Sequence, residues 1–265
     1  MQLATWNVNS LNVRLPQLLD WLAQRQPDIV ALQELKLPDE AFPLPAIQAA
    51  GYDAVWLGQK TYNGVALLVR QGTQLHDVQR NLPNLEDPQA RLIAATVQPP
   101  GVDEALRVVG AYFPNGQAPG SDKFAYKMQW LQALRAWLAA QLSQYPKLVL
   151  MGDFNITRDD LDVWDPDGLR ETIHCTRAER EQLQALLALG LHDALRTTAP
   201  QGGVYTWWDY RQLAFPKNRG LRIDHILLSD PLHARLRACD VDRALRKRPQ
   251  PSDHAPVVAT LAPSA

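Results

Sequence analysis

The stretch "LRIDHILLS" (Leu221–Ser229) decides how the chain is read. It is a short apolar run with a charged entry, and it does not stand alone. "GGVYTWW" (Gly202–Trp208) precedes it, and "LRACDVDR" (Leu236–Arg243) and "APVVATL" (Ala255–Leu261) follow. Short β-branched or aromatic runs broken by Gly, Pro, Asn and Asp read as successive strands. Working backwards, further strand candidates are "KLVLMGDF" (147–154), "LRVVGAY" (106–112), "RLIAATV" (91–97), "GVALLVR" (64–70) and "YDAVWL" (52–57). The beginning is β-α-β: "QLATWNV" (2–8), a helix over 14–25 with Leu15, Leu18, Leu19 and Leu22 at helical spacing, then "DIVALQE" (28–34). A long helix fits 122–143, and Thr176-x-x-Glu179 is a capping box opening another that ends near Gly190. Roughly ten strands beside three or four helices are too many for a doubly wound parallel sheet. The expected fold is an α/β four-layer sandwich of two packed mixed β-sheets flanked by helices.

Composition sets limits on function. The 265 residues are 46% hydrophobic and 21% charged, enough for a large core. The 20 prolines and 14 glycines are scattered, and no linker, repeat or low-complexity run divides the chain, so residues 1–265 read as a single domain. Cys175 and Cys239 match neither a zinc spacing nor a disulfide framework and suit a reducing cytoplasm. "MQLATWNVNS" is no signal peptide, and no apolar run approaches a membrane span. A net charge of −1 advertises no polyanionic partner, so any basic surface is local, as in "NRGLR" (218–222) and "RALRKR" (243–248).

The polar residues collect where strands end. "WNVNSL" delivers Asn7 and Asn9, "LQELK" delivers Gln33 and Glu34, and "GDFN" delivers Asp153 and Asn155. "LRIDHI" carries Asp224, and "SDHAPV" carries Asp253 and His254. One such terminus is a turn or cap, which Asn and Asp favour. Recurrence at five termini points instead to a shared site. Oxygen-rich, cysteine-free ligands select hard cations, so Mg2+ or Mn2+ is expected. Such an ion polarises a phosphoryl oxygen, and a second carboxylate or a carboxylate-held histidine orients the attacking water. The chemistry this inventory suits is metal-assisted phosphate ester cleavage.

"TWNVNSL", "LQELK", "NGVAL", "YFPNG", "MGDFNI", "GLRIDHIL" and "PSDHAPV" resemble, in order and spacing, the exonuclease III group of DNA-repair nucleases. That group lies within the endonuclease–exonuclease–phosphatase (deoxyribonuclease I-like) superfamily. The resemblance runs from Met1 to Leu261 and implies residue roles. Glu34 would be the principal metal ligand, helped by Asn7 or Asn9 and by Asp253, with Asp153, Asn155 and His254 around the same ion. Asp153 would orient or deprotonate water, and Asn155 and His254 would contact the scissile phosphate. Asp224 would fix the His254 tautomer. Tyr112 would stand near the phosphate and leaving group. Trp207 would pack on a deoxyribose with Phe215 completing the pocket, while Arg91, Asn115, Lys123 and Arg222 would face DNA phosphates.

The same resemblance implies double-stranded DNA with abasic sites or with blocked or recessed 3′ ends as the partner, and a monomeric enzyme. "DPDGLRETIHCTRAER" departs from the family in carrying His174 where a small residue is usual. An imidazole there is expected to narrow the pocket for an abasic sugar and to favour 3′-end work; simple packing of His174 on its loop is the other reading. Two further functions fit the scaffold: a phosphatase or phosphodiesterase on a small molecule or lipid head group, and a non-catalytic nucleic-acid-binding regulator. "YFPNG", "WWDYR" and "NRGLRID" argue against the first. The presence of Glu34, Asp153, Asn155, Asp224 and His254 argues against the second.

Overall fold

The computed structural model describes residues 1–264. The chain opens with β1 (Gln2–Asn7), α1 (Leu11–Arg25) and β2 (Ile29–Gln33), the expected β-α-β. There follow α2 (Leu44–Ala49), β3 (Tyr52–Leu57), β4 (Val65–Arg70), β5 (Gln74–Arg80), β6 (Leu92–Gln98), β7 (Leu106–Tyr112), α3 (Asp122–Gln144) and β8 (Leu148–Asp153). The rest comprises α4 (Arg177–Leu187), β9 (Leu191–Asp193), α5 (Ala194–Thr198), β10 (Trp207–Trp208), β11 (Gly220–Leu221), β12 (Asp224–Ser229), α6 (Asp230–His233), β13 (Leu236–Val241) and β14 (Val257–Leu261).

Two six-stranded sheets result, in the orders β13-β14-β1-β2-β4-β3 and β5-β6-β7-β8-β12-β9, with β10-β11 as a separate ribbon. Only β1–β2 and β7–β8 pair in parallel among the described strands. Leu3, Ile29 and Leu67 of one sheet meet Ile93, Val108, Met151 and Ile226 of the other in the central core. Outside the first sheet, Leu18, Trp21 and Leu22 of α1 cover Ala4, Val30 and Leu68. Outside the second, Trp130, Leu134 and Leu138 of α3 and Leu183 of α4 cover Leu92, Val109 and Leu150. Central strands buried on both faces explain why their sequences run apolar without alternation. The sheets pack closely at Gly110, where a Cβ would stand 3.0 Å from Leu67 and 3.1 Å from Ala31.

The four layers match the sequence expectation; several boundaries do not. Helix α1 starts at Leu11 rather than Arg14, because Ser10 accepts a hydrogen bond from the Val13 backbone N–H. Of "GGVYTWW", only Trp207 and Trp208 are strand; the rest is a loop. Strand β5 ("QLHDVQR") and the short helices α2, α5 and α6 were not expected. Strand β5 is a half-exposed edge with too few apolar residues to reveal a period.

Topology places the polar termini together. Strands β1, β2 and β8 finish at one rim of the sandwich with Asn7, Gln33 and Asp153, and β12 begins there with Asp224. The register pairs Asn7 with Gln33, Asp224 with Asp153, and Tyr112 with Asp153. Gly152 permits that last pairing, since a Cβ on it would lie 1.8 Å from the Ala111 carbonyl oxygen. An isolated bridge from Trp207 to His254 brings the C-terminal loop onto the same rim.

Candidate active site

Three groups define the centre: Glu34, Asp153 and His254 each offer an atom within 4.8 Å of the others. Asn7, fully buried at the end of β1, donates through Nδ2 to Glu34 Oε1 at 2.9 Å and to Asp153 Oδ2 at 2.9 Å. Its own Oδ1 accepts the Asn9 backbone N–H. Asn7 therefore presents its amino group to the centre and orients two carboxylates.

His254 connects the centre to the second sheet. Its Nδ1 lies 2.8 Å from Asp224 Oδ2, which Thr206 Oγ1 also donates to, and its Nε2 lies 3.5 Å from Asp153 Oδ2. A carboxylate only accepts, so Nδ1 carries a proton. Burial works against an imidazolium, but the charges of Asp224, Asp153 and Asp253 outweigh it and hold His254 well above its ordinary value. The loop beneath is pinned by Trp6 Nε1 donating to the His254 carbonyl and by Ser252 Oγ donating to the Asn7 carbonyl. Thr206, Ser252 and Trp6 were not singled out in the sequence; the part each plays depends on a partner distant along the chain.

Asp153 is pushed up to about 7, chiefly by burial; His254 opposes this, while Asp224 and Glu34 add to it. Two adjacent carboxylates, Asp153 buried and Glu34 partly exposed, match the demands of a hard divalent cation. Glu34 and Asp153 are the residues that would hold it. Asn9 and Asp253 stand at the rim. Asn9 Nδ2 donates to Asp253 Oδ1 at 3.3 Å, Asn9 Oδ1 accepts from Lys36 Nζ at 2.7 Å, and Asp253 Oδ2 accepts from Trp207 Nε1 at 3.0 Å. Those bonds tie both to neighbours and leave them outside the three-residue centre. Asn155 adopts a left-handed φ of 53°, its N–H donates to Asp153 Oδ1 and its Nδ2 to the Phe113 carbonyl, so its amide borders the centre.

Tyr112 stands beside the centre. Burial first, then the Glu34 and Asp153 charges, push its phenol well above the ordinary value, so it is a proton-bearing donor. Next to it a hollow of about 520 Å³ is lined by Tyr62, Asn115 and Lys123 among others. Asn115 and Lys123 are exposed, as phosphate contacts require. Arg91 is not: it is 7% exposed, donates to Gln89, the Tyr126 hydroxyl and the Tyr112 carbonyl, and lies over the Tyr112 ring. It buttresses Tyr112.

Arg222 also departs from expectation. It is 1% exposed and donates to Asp162 Oδ1 and to both oxygens of Asp193, each at 2.7 Å. With its guanidinium enclosed by two carboxylates, it cannot meet a phosphate. Replacing it with Leu is expected to cost about 3–5 kcal/mol by leaving buried charge uncompensated. Denaturant midpoints would show this, while the salt dependence of DNA binding stays unchanged. Burial opposes ionisation of Asp193, but Arg222 holds it well below the usual carboxylate range. That contribution is fully present above the unfolded carboxyl value of ~4 and is lost as the pH falls through the folded value.

Beside the centre, Val163, Cys175, Leu221 and Ile223 form a buried apolar cluster on which Trp207 packs. Phe215 is elsewhere: it meets Trp208 edge-on at 5.1 Å and lies beneath Arg243 and Arg246. His174 is buried against the same cluster as Trp207, its ring 6.4 Å from that of Trp207 and tilted by 57°. Its Nδ1 lies 2.7 Å from the Asn155 carbonyl, so Nδ1 carries the proton and Nε2 is an acceptor. Burial and the Lys127 charge depress its pKa to about 3, so it is neutral.

A model of the Endonuclease/Exonuclease/phosphatase family matches residues 4–254. Exodeoxyribonuclease III of Haemophilus influenzae is 36% identical over 269 residues, spanning 98% of this chain and 99% of that protein. A 3′-5′ exonuclease from Neisseria meningitidis superposes with a TM-score of 0.94 at 50% identity, covering 98% of this chain and 99% of that one. A 3′ phosphatase from Neisseria, solved with a product DNA hairpin, has the same TM-score at 49% identity, covering 99% of each chain.

Proposed function

The chain belongs to the Endonuclease/Exonuclease/phosphatase family and is an exonuclease III-type DNA-repair nuclease, and on that premise we propose that it works chiefly on 3′ ends of duplex DNA. The substrates are a 3′-terminal nucleotide, removed as a 3′-5′ exonuclease, and a blocking 3′ phosphate. Incision at internal abasic sites is the weaker activity. The observation that carries this reading is the buried, neutral His174 beside Trp207, the residue proposed to pack on the deoxyribose.

The proposed roles build on the geometry of the centre. Asn7 aligns Glu34 and Asp153, and Glu34 with Asp153 would hold Mg2+ or Mn2+. The ion supplies Lewis-acid stabilisation of charge on the phosphoryl group and leaving oxygen. Asp153 orients the attacking water and accepts its proton. His254, backed by Asp224, donates from Nε2 to a phosphate oxygen and stabilises the anionic transition state. Asn155 adds a carboxamide contact, and the protonated Tyr112 phenol faces the leaving group. Trp207 gives the deoxyribose an apolar face, and Asn115 and Lys123 meet backbone phosphates.

Three further statements belong to this reading. Residues 1–265 act as one catalytic domain, the protein is a monomer, and it is cytoplasmic. Its free, buried Cys175 and Cys239 support a reducing compartment, and no described helix is long and apolar enough to cross a membrane.

His174→Gly is the direct test. Removing the imbedded ring is expected to raise incision of a duplex with an internal abasic analogue by about tenfold or more, in line with the steric discrimination a pocket supplies. Removal of a 3′ phosphate from a recessed end should change little. Unchanged abasic incision would sink the 3′-end preference and leave His174 as packing on its loop.

A further inference from the structure

Lys127 is a lysine with no exposed surface, in the second turn of α3, and the reaction described above does not use it. Its ammonium has three N–H donors, and three segments take them. Nζ donates to the Asn115 carbonyl at 3.2 Å, to the Asn155 carbonyl at 2.8 Å, and to Glu179 Oε2. Glu179 is equally buried. Its Oε2 also accepts the His174 backbone N–H, and its Oε1 accepts from Thr176 N and Oγ1 in the capping box of α4. One ion pair thereby joins the loop after β7, the loop after β8 and the loop that carries His174.

Taking two charges out of water incurs a desolvation penalty that rivals their attraction, so such a pair is weak evidence for stability. What it does supply is geometry. Asn155 and His174 hold left-handed φ angles of 53° and 72°, which non-glycine residues keep only when their surroundings over-determine them. The two are also linked directly, since the carbonyl of Asn155 accepts from Lys127 Nζ and from His174 Nδ1 together. The His174 carbonyl in turn accepts from Thr157 N and Oγ1, closing the loop on β8. Space beside the ammonium stem is limited too: a Cβ on Gly116 would stand 2.9 Å from Lys127 Cδ.

We propose that the buried Lys127–Glu179 pair is the positioning device for substrate choice, holding Asn155 beside Asp153 at the scissile phosphate and His174 beside Trp207, where the sugar would sit, as one rigid unit. The proposal rests on the 3′-end reading above. Lys127 and Glu179 touch no substrate; they act through the two residues they fix. Without them the His174 loop relaxes, the pocket widens, and discrimination against an internal abasic sugar is lost along with part of the turnover rate.

The test uses the full-length protein with Mg2+ and two variants. Lys127→Met leaves Glu179 buried without its cation. The double variant Lys127→Met with Glu179→Gln removes both charges, and Gln preserves the capping box, so folding is secured separately. In the double variant, the ratio of internal abasic incision to 3′-phosphate removal is expected to rise about tenfold or more, with kcat for 3′-end work reduced and KM little changed. Amide hydrogen exchange across residues 154–157 and 172–176 should quicken, while β1 and β8 keep their protection. A pair that only stabilised the fold would lower both activities by one factor and loosen the molecule throughout, and that result would overturn the proposal. If the unmodified protein already incised internal abasic DNA rapidly, the 3′-end reading would fall by itself. Exchange would then decide: local loosening upholds the pair as the device that fixes the loop, and uniform or absent loosening overturns it.

Discussion

Asp153→Asn and His254→Ala, made separately, are each expected to lower kcat on every substrate by about 10³-fold or more, the scale of losing a proton-transfer group or a transition-state hydrogen-bond donor. Both residues sit at the point where the two sheets deliver their polar ends: Asp153 from β8, and His254 from the loop before β14. Asp153 Oδ2 is shared between Asn7 and the neighbourhood of His254 Nε2, so losing either group disorders the other as well as removing its own function. Their effects should therefore not add: the double variant should be little worse than the poorer single one. On the proposed reading one centre serves exonuclease, 3′-phosphatase and abasic activity, so all three should fall together. Survival of one would mean a second centre.

Glu34→Gln is expected to be nearly as damaging to activity and to act in the opposite direction on the metal-free protein. Glu34 helps push Asp153 up to about 7, so neutralising it relieves like-charge crowding. Metal-free Glu34→Gln should unfold at the same temperature as the parent or higher, the usual trade between an active site and stability. Added Mg2+ should raise the melting temperature of the parent by mass action and that of Glu34→Gln much less. Chelation should abolish turnover of the parent. A Glu34→Gln protein with full activity and the parent's Mg2+ response would remove Glu34 from the metal site.

The sequence announced the centre because its residues sit in short motifs at strand ends, where residue type and position both carry meaning. Asn7, Glu34, Asp153, Asp224 and His254 were legible for that reason. Arg91 and Arg222 were misread because an arginine looks the same on a surface and inside an ion-pair network. Only the fold shows that Asp162 and Asp193 close around Arg222. Phe215 was misplaced by its nearness to Trp207 in sequence, although adjacent Trp207 and Trp208 point to different clusters as strand residues must. Glu179 was recognised as a helix cap, which it is; its second carboxylate oxygen reaches Lys127, 52 positions away, and no local pattern reveals that. His174 stood out by its departure from the family, while its left-handed backbone and its bond to Asn155 are set by the fold and leave no local pattern.

The central claim is a single metal-dependent centre with a pocket shaped for 3′ ends. It is tested most directly by giving the unmodified protein two labelled duplexes, one with an internal abasic analogue and one with a recessed 3′ end bearing a phosphate, in Mg2+ and in chelator. The account predicts rapid loss of the 3′ phosphate and then of terminal nucleotides in Mg2+, slow incision at the abasic analogue, and no reaction of either duplex in chelator. Equal or faster abasic incision, or cleavage that persists without the ion, would contradict it.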